Sequence, residues 1–158
     1  MKRVIYKFFT NILAIIGAIA LIVEFTGLVN ILFIPDISGD WELEFKTIKT
    51  AYNPYLNMSV SHNAHIKQDD RDISIIAETT KNNDEYLSSS SRTVINGFGK
   101  IKGNILTGYT LNINYVLSGK LRDSTGSLIL KLNDKKALNG SFNSTAANSS
   151  GHAFLRKL

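Results

Sequence analysis

Three histidines, a serine run closed by an arginine, and a pair of tyrosines carry what chemistry this 158-residue chain offers. His62 sits between Val60 and Ala64 in an alternating stretch, which puts it on the apolar face. An imidazole there is either a satisfied core residue or a ligand contact. His65 falls on the opposite face of the same stretch, so the two cannot both hold one metal. Residues 88–92 read Ser-Ser-Ser-Ser-Arg. Hydroxyls and a guanidinium along one strand suit a phosphate, because arginine donates bidentately, and Ser90 and Arg92 are the members that would do so. The plainer use of that run is a solvated outer face. Tyr109 and Tyr115 lie on an otherwise apolar face, where they stack on a ligand ring or serve simply as core aromatics.

Nothing in the chain resembles a catalytic constellation. There is no glycine-rich phosphate loop, no histidine pair at metal-ligand spacing and no Gly-X-Ser-X-Gly elbow. The absence of cysteine removes disulfide, thiolate-metal and lipidated-cysteine readings. The pattern reads as a binding module rather than an enzyme, with no cofactor or metal site. Net charge is +5, and setting aside Lys2, Arg3, Lys7 and Glu24 leaves 15 Lys/Arg against 12 Asp/Glu. That excess is too weak and too interspersed for duplex nucleic acid, but compatible with one small anionic ligand.

The elements that must position these residues are strands. Trp41, Leu43 and Phe45 alternate with Glu42, Glu44 and Lys46, the mark of a half-buried strand. Leu56 to Lys67 alternates in the same way, and Asp69-Asp70-Arg71-Asp72 turns it into a strand over 73–79. Lys81-Asn82-Asn83-Asp84 ends that strand, and the next is expected from Tyr86 to about Ile101, bent at Gly97 or Gly99. A hairpin at Gly103-Asn104 leads into 105–117, and further strands read as 126–133, 137–145 and 152–157. About eight strands joined by short polar turns predict an all-β, eight-stranded up-and-down (lipocalin-like) β-barrel over 36–158, with a sandwich as the alternative. Trp41 is expected to plug the barrel floor.

In front of this domain, residues 1–35 carry a single apolar stretch, Val4 to Ile34, in which only Lys7 and Glu24 are charged. A helix rises 1.5 Å per residue, so roughly 20 such residues cross a hydrocarbon core of about 30 Å. One span from about Phe8 to Phe25 fits best. A cleaved signal peptide and a cramped two-pass hairpin are the alternatives. Glu24 either marks a functional carboxylate within the bilayer or ends a helix at its interface. Ala14, Gly17, Ala18 and Leu21 form one small-residue face suited to helix packing. With one span, Lys2, Arg3 and Lys7 favour an exported barrel; with two, the barrel returns to the cytoplasm.

The junction Pro35-Asp36-Ile37-Ser38-Gly39-Asp40-Trp41 places a Gly-X-Trp at the first strand, which looks like the lipocalin-type architecture. Three elements together resemble a more specific group. They are the short N-terminal membrane region, that junction, and a closing pattern of Gly126-Ser127-Leu128-Ile129-Leu130, Leu138-Asn139-Gly140-Ser141-Phe142 and Gly151-His152-Ala153-Phe154-Leu155. They are similar to the SMODS-associating, two-transmembrane, β-strand-rich effectors of CBASS anti-phage defence. The resemblance implies a barrel at the bacterial inner membrane, facing the cytoplasm, that binds a cyclic oligonucleotide made by a partner nucleotidyltransferase. Ligand binding would then drive homo-oligomerisation of the membrane segments and disrupt the lipid bilayer. It supplies no residue-level ligand motif, so His62, Ser90, Arg92, Tyr109 and Tyr115 stand on facing and chemistry alone. The reading from a different class is a membrane-tethered lipocalin-like carrier or envelope protein with an apolar cavity.

Overall fold

The computed structural model describes residues 12–22, 34–88, 91–119, 123–134 and 136–158. It separates into two compact units, residues 1–34 and 35–158.

Within the first unit, residues 12–22 are helical, and all eleven are apolar and exposed. No helix among the described residues is long and apolar enough to cross a membrane. Ala14, Gly17 and Ala18 fall within the helix, and a Cβ added at Gly17 would meet nothing within 4 Å. Glu24 lies outside the described residues.

The second unit is a closed antiparallel barrel. Its strands are β1 (Gly39–Lys49), β2 (Ser59–Asp69), β3 (Asp72–Asn82), β4 (Glu85–Tyr86), β5 (Val94–Asn104), β6 (Gly108–Ser118), β7 (Asp123–Asp134), β8 (Ala137–Ser144) and β9 (Ser149–Lys157). The hydrogen-bonded order is β2-β1-β9-β8-β7-β6-β5-β3, and a β2–β3 pairing closes the ring of eight. The two-residue β4 pairs only with the end of β3, as the return arm of a hairpin. Closure leaves neither sheet edge open, which is how a sheet with one apolar face avoids pairing with other chains.

Binary pattern explains which face turns inward. Along β1, Trp41, Leu43, Phe45 and Thr47 are buried and the residues between them are not. β2 and β3 repeat the pattern with His62, Ala64 and Ile66, and with Ile73, Ile75, Ala77 and Thr79. Turn chemistry sets the register. Asp70 takes φ 53° between β2 and β3, and Asn83 and Asp84 take φ 46° and 68° between β3 and β4. Asn and Asp tolerate this left-handed backbone better than other side chains, and two such residues in succession match the twist of a tight hairpin. Between β5 and β6 the Asn104 carboxamide oxygen accepts from the Leu106 and Thr107 N–H groups at 2.9 Å each. Gly108, at φ 77°, then returns the chain to the sheet.

Two expectations about β5 are corrected. A single strand from Tyr86 to Ile101 does not form: β4 stops at Tyr86 and β5 begins at Val94. Serine hydroxyls and local turns compete with the ladder there, as in the Ser91 N–H to Ser88 carbonyl bond of 2.9 Å. The β5–β6 register also runs unbroken past Gly97 and Gly99. Those glycines answer crowding instead. A Cβ at Gly97 would come within 2.8 Å of the Ile113 and Ile75 methyls, and one at Gly99 within 2.0 Å of the Asn112 carbonyl. The irregularities lie elsewhere, between Thr47 and Lys49, Ser61 and His62, and Leu132 and Asp134.

One end of the barrel is filled. Trp41, Leu130 and Leu155 have no measurable exposure, and Ile37, Ile66 and Leu111 are almost as buried. The Trp41 Nε1–H donates to the Ile37 carbonyl at 2.8 Å. Gln68 then straps the entering chain across that end, accepting from the Ile37 N–H at 2.8 Å and donating to the Pro35 carbonyl at 3.1 Å. Only about 10 Å³ remains among Pro35, Ile37, Tyr109, Leu111 and their neighbours, about the minimum for a single water.

Candidate functional site

The opposite end is open. Here lie the end of β1, the start of β2, the β3–β4 hairpin, the start of β5 and the β8–β9 connection. Together they enclose a cavity of about 340 Å³, within the size range of small-molecule sites. Its wall comes from alternate inward residues: Phe45 and Thr47 of β1, His62 of β2, Thr79 and Asn82 of β3, Tyr115 of β6 and Phe142 of β8. Tyr55 and Met58, from the β1–β2 connection, and Leu87 and Ser91, after β4, also belong to it.

An aromatic cluster forms one side. The Phe45 ring stacks on Tyr115 with centroids 5.9 Å apart and lies 4.8 Å from Phe142. It also meets the His62 ring edge-on at 5.3 Å. Tyr115 has room only because its β7 partner is Gly126, where a Cβ would fall 2.3 Å from the tyrosine Cζ. Its hydroxyl donates to the Asn143 carbonyl at 3.3 Å. Burial pushes the Tyr115 pKa up to about 12, so the phenol stays neutral.

The polar groups are also uncharged. Burial lowers the His62 pKa to about 4, against a smaller opposing effect of the Leu43 carbonyl. His62 is 2% exposed, and its Nδ1 lies 3.3 Å from that carbonyl, which can only accept. The neutral ring therefore carries its proton on Nδ1, leaving Nε2 as an acceptor on a residue that lines the cavity. The Thr79 and Thr93 hydroxyls share a 2.7 Å hydrogen bond, and the Asn82 Oδ1 is buried without a partner. No carboxylate, lysine or arginine side chain is among the described lining residues.

The five residues singled out from sequence separate. His62 and Tyr115 both line the cavity. Tyr109 does not: it belongs to the filled end, six residues from Tyr115. At about 3.4 Å per residue that is roughly 20 Å along β6, beyond the reach of one small ligand. Arg92 is not among the lining residues, although its chain neighbours Ser91 and Thr93 are. Its guanidinium is 3.6 Å from a Glu78 carboxylate oxygen, while its Nε is buried with no partner. Ser90 lies outside the described residues. The opposite facing of His62 and His65 is as the alternation indicates, with His65 exposed beside Asp40 at 2.7 Å. Among the described residues no group of three acidic, histidine or cysteine side chains is arranged to hold a metal.

Sequence reasoning passed over Phe45, Thr79, Asn82 and Phe142 as site residues. Period two alone assigns Phe45 and Thr79 to the inner face. Asn82 carried no such signal, because it sits in a polar turn cluster and lines the cavity only at the end of a strand whose pairing shifts at Ser61/His62.

No family model and no curated protein matches the chain. A solved structure described as EF1p2_mFAP2b bound to DFHBI is similar to it, with a TM-score of 0.57 and 12% identity, covering 77% of this chain and 94% of that one. At that identity the likeness concerns the fold. The chain thus carries an all-β, eight-stranded closed antiparallel barrel, the fold it shares with that structure.

Proposed function

We propose that the barrel is the sensing half of a membrane-tethered effector and that its ligand is a cyclic oligonucleotide, with a base inside the cavity and the phosphates held at the mouth. The observation that carries this reading is the division of chemistry along the open end. Stacked aromatic rings and neutral polar groups line the interior, while Arg92, whose Nε is buried without a partner, directly follows the lining residue Ser91 in the chain. A planar, uncharged base suits the first environment, and a phosphate oxygen suits the second. The similar barrel EF1p2_mFAP2b binds DFHBI, which supports a ligand at this fold without specifying one. The membrane half rests on residues 12–22, a helix with no polar side chain, since a helix apolar all round needs lipid or protein around it. The resemblance to CBASS effectors supplies the link between ligand and bilayer.

A second reading has its own support. With no charged side chain in the described lining, a small neutral aromatic molecule suits the cavity as well, as in a tethered carrier. Isothermal titration of the full-length chain in lipid nanodiscs against 3′,3′-cyclic di-UMP, cyclic di-AMP, cyclic di-GMP and 2-naphthol separates the two. The sensor reading expects saturable binding of a cyclic dinucleotide, weakened roughly tenfold or more by Arg92→Ala, equivalent to about 1.4 kcal/mol. Binding of 2-naphthol with none of the dinucleotides would overturn it in favour of the carrier. A reporter fused after Leu158 and active only in the periplasm would refute a cytoplasmic sensor.

A further inference from the structure

We propose that His62 is the specificity residue of the cavity: its Nε2 accepts a hydrogen bond from an N–H or O–H group carried by a neutral, planar ligand ring, selecting against rings that lack a donor at that edge. This deepens the sensor reading, for which the donor is the imino N–H of a base such as uracil, and it holds equally for any neutral ring in the same cavity.

The direction of this bond follows from the geometry around a neutral, buried ring. The Leu43 carbonyl on β1 faces His62 Nδ1 at 3.3 Å and accepts. A neutral imidazole has one N–H, so satisfying that carbonyl leaves Nε2 as an acceptor. His62 points inward from β2, is 2% exposed and lines the cavity. Among the described residues no protein donor reaches its Nε2. Once a ligand fills the cavity and keeps water from Nε2, an acceptor left without a donor costs more than a made hydrogen bond gains, so a ligand that supplies the donor is favoured over an isostere that cannot. This asymmetry is what allows sites built to bond a ligand N–H or O–H to reject the analogue without it.

The surroundings restrict the donor further. The Phe45 ring meets His62 edge-on at 5.3 Å and stacks on Tyr115, so a planar ring entering beside this cluster presents its edge to the imidazole. On the same wall, Asn82 lines the cavity with a buried Oδ1 that also lacks a donor. The unmet Asn82 acceptor, the Nε2 lone pair of His62 and the absence of formal charge from the described lining suit a donor-rich neutral ring, not a carboxylate or a phosphate, which would bring only acceptors.

Matched ligand pairs on the full-length chain test this without requiring a variant to fold. The first pair is 3′,3′-cyclic di-UMP and the same molecule methylated at both uracil N3 positions. The second is 2-naphthol and 2-methoxynaphthalene. In whichever pair the parent binds, methylation is expected to weaken binding tenfold or more, and ¹⁵N NMR of the protein is expected to show the His62 Nε2 resonance moving on addition of the parent but not of the methylated compound. His62→Leu should remove the discrimination by weakening the parent while sparing the analogue. Equal affinity within a pair, or a still Nε2 resonance, overturns the His62 role while leaving the cavity a ligand site. If none of the cyclic dinucleotides binds and the naphthol pair discriminates, the sensor reading falls and the His62 role stands. Binding of no cyclic dinucleotide and of neither naphthol compound overturns both.

Discussion

Neutral His62 makes barrel stability depend on pH in a defined window. The unfolded chain takes up a proton on this side chain near 6.5, whereas the folded state resists protonation down to about 4. Across that interval the unfolded state binds more protons, so stability falls as pH drops, and the loss stops growing below about pH 4. The gap between the two values, at about 1.36 kcal/mol per pH unit, amounts to roughly 3 kcal/mol. That is a large part of the roughly 5–15 kcal/mol typical of a domain. Hydrogen bonds from Ser38 hold the Asp36 carboxyl below its usual range, beneath this window. His62→Gln isolates the histidine, since glutamine can still donate to the Leu43 carbonyl and does not titrate. Urea unfolding of residues 35–158, followed by far-UV circular dichroism between pH 7.5 and 4, should give wild-type and variant curves that diverge as pH falls. The wild type should lose about 3 kcal/mol more than the variant between pH 7 and 4. Parallel pH profiles would show that burial does not keep His62 neutral, and the assignment of an acceptor lone pair to the cavity would fall with it.

Two substitutions probe the two ends of the barrel. Trp41→Ala removes the fully buried plug and its bond to the Ile37 carbonyl, and should cost about 3–5 kcal/mol in urea unfolding while leaving the residues of the open cavity in place. A loss below about 1 kcal/mol would show that the filled end is not what stabilises the barrel. Gly126→Ala places a methyl 2.3 Å from the Tyr115 ring and 2.4 Å from the Asn143 carbonyl, and should destabilise by roughly 1–3 kcal/mol. Its second signature is displacement of Tyr115, read as altered ring resonances of Tyr115 and Phe45 in the NMR spectrum; an unchanged spectrum refutes the packing argument.

Much of this architecture is legible in the linear chain. Strict alternation along Trp41–Thr47 and His62–Ile66 identifies both the strands and their buried face, because side chains in a strand point to opposite sides at every step. Asn83-Asp84 and the Gly103–Gly108 segment mark hairpins because few residues adopt left-handed backbone without strain. Absence of helical periodicity after Pro35, with short polar turns, limits the fold to a sandwich or barrel. Facing also puts His62 and Tyr115 inside.

Tertiary structure decided what facing could not. Tyr109 and Tyr115 share a face of β6 and are indistinguishable by periodicity, yet Ile37 and the Gln68 strap fill the lumen around one and not the other. The serine run reads as one strand, but Ser88 and Ser91 belong to an irregular passage, because ladder pairing depends on a neighbour that a linear pattern does not reveal. Asn82 reaches the cavity only through a pairing shift between β2 and β3. The His62 tautomer is likewise invisible in sequence. It follows from a carbonyl 19 residues away that closure of β1 onto β2 brings to 3.3 Å, and an acceptor so placed determines which ring nitrogen is left to meet a ligand.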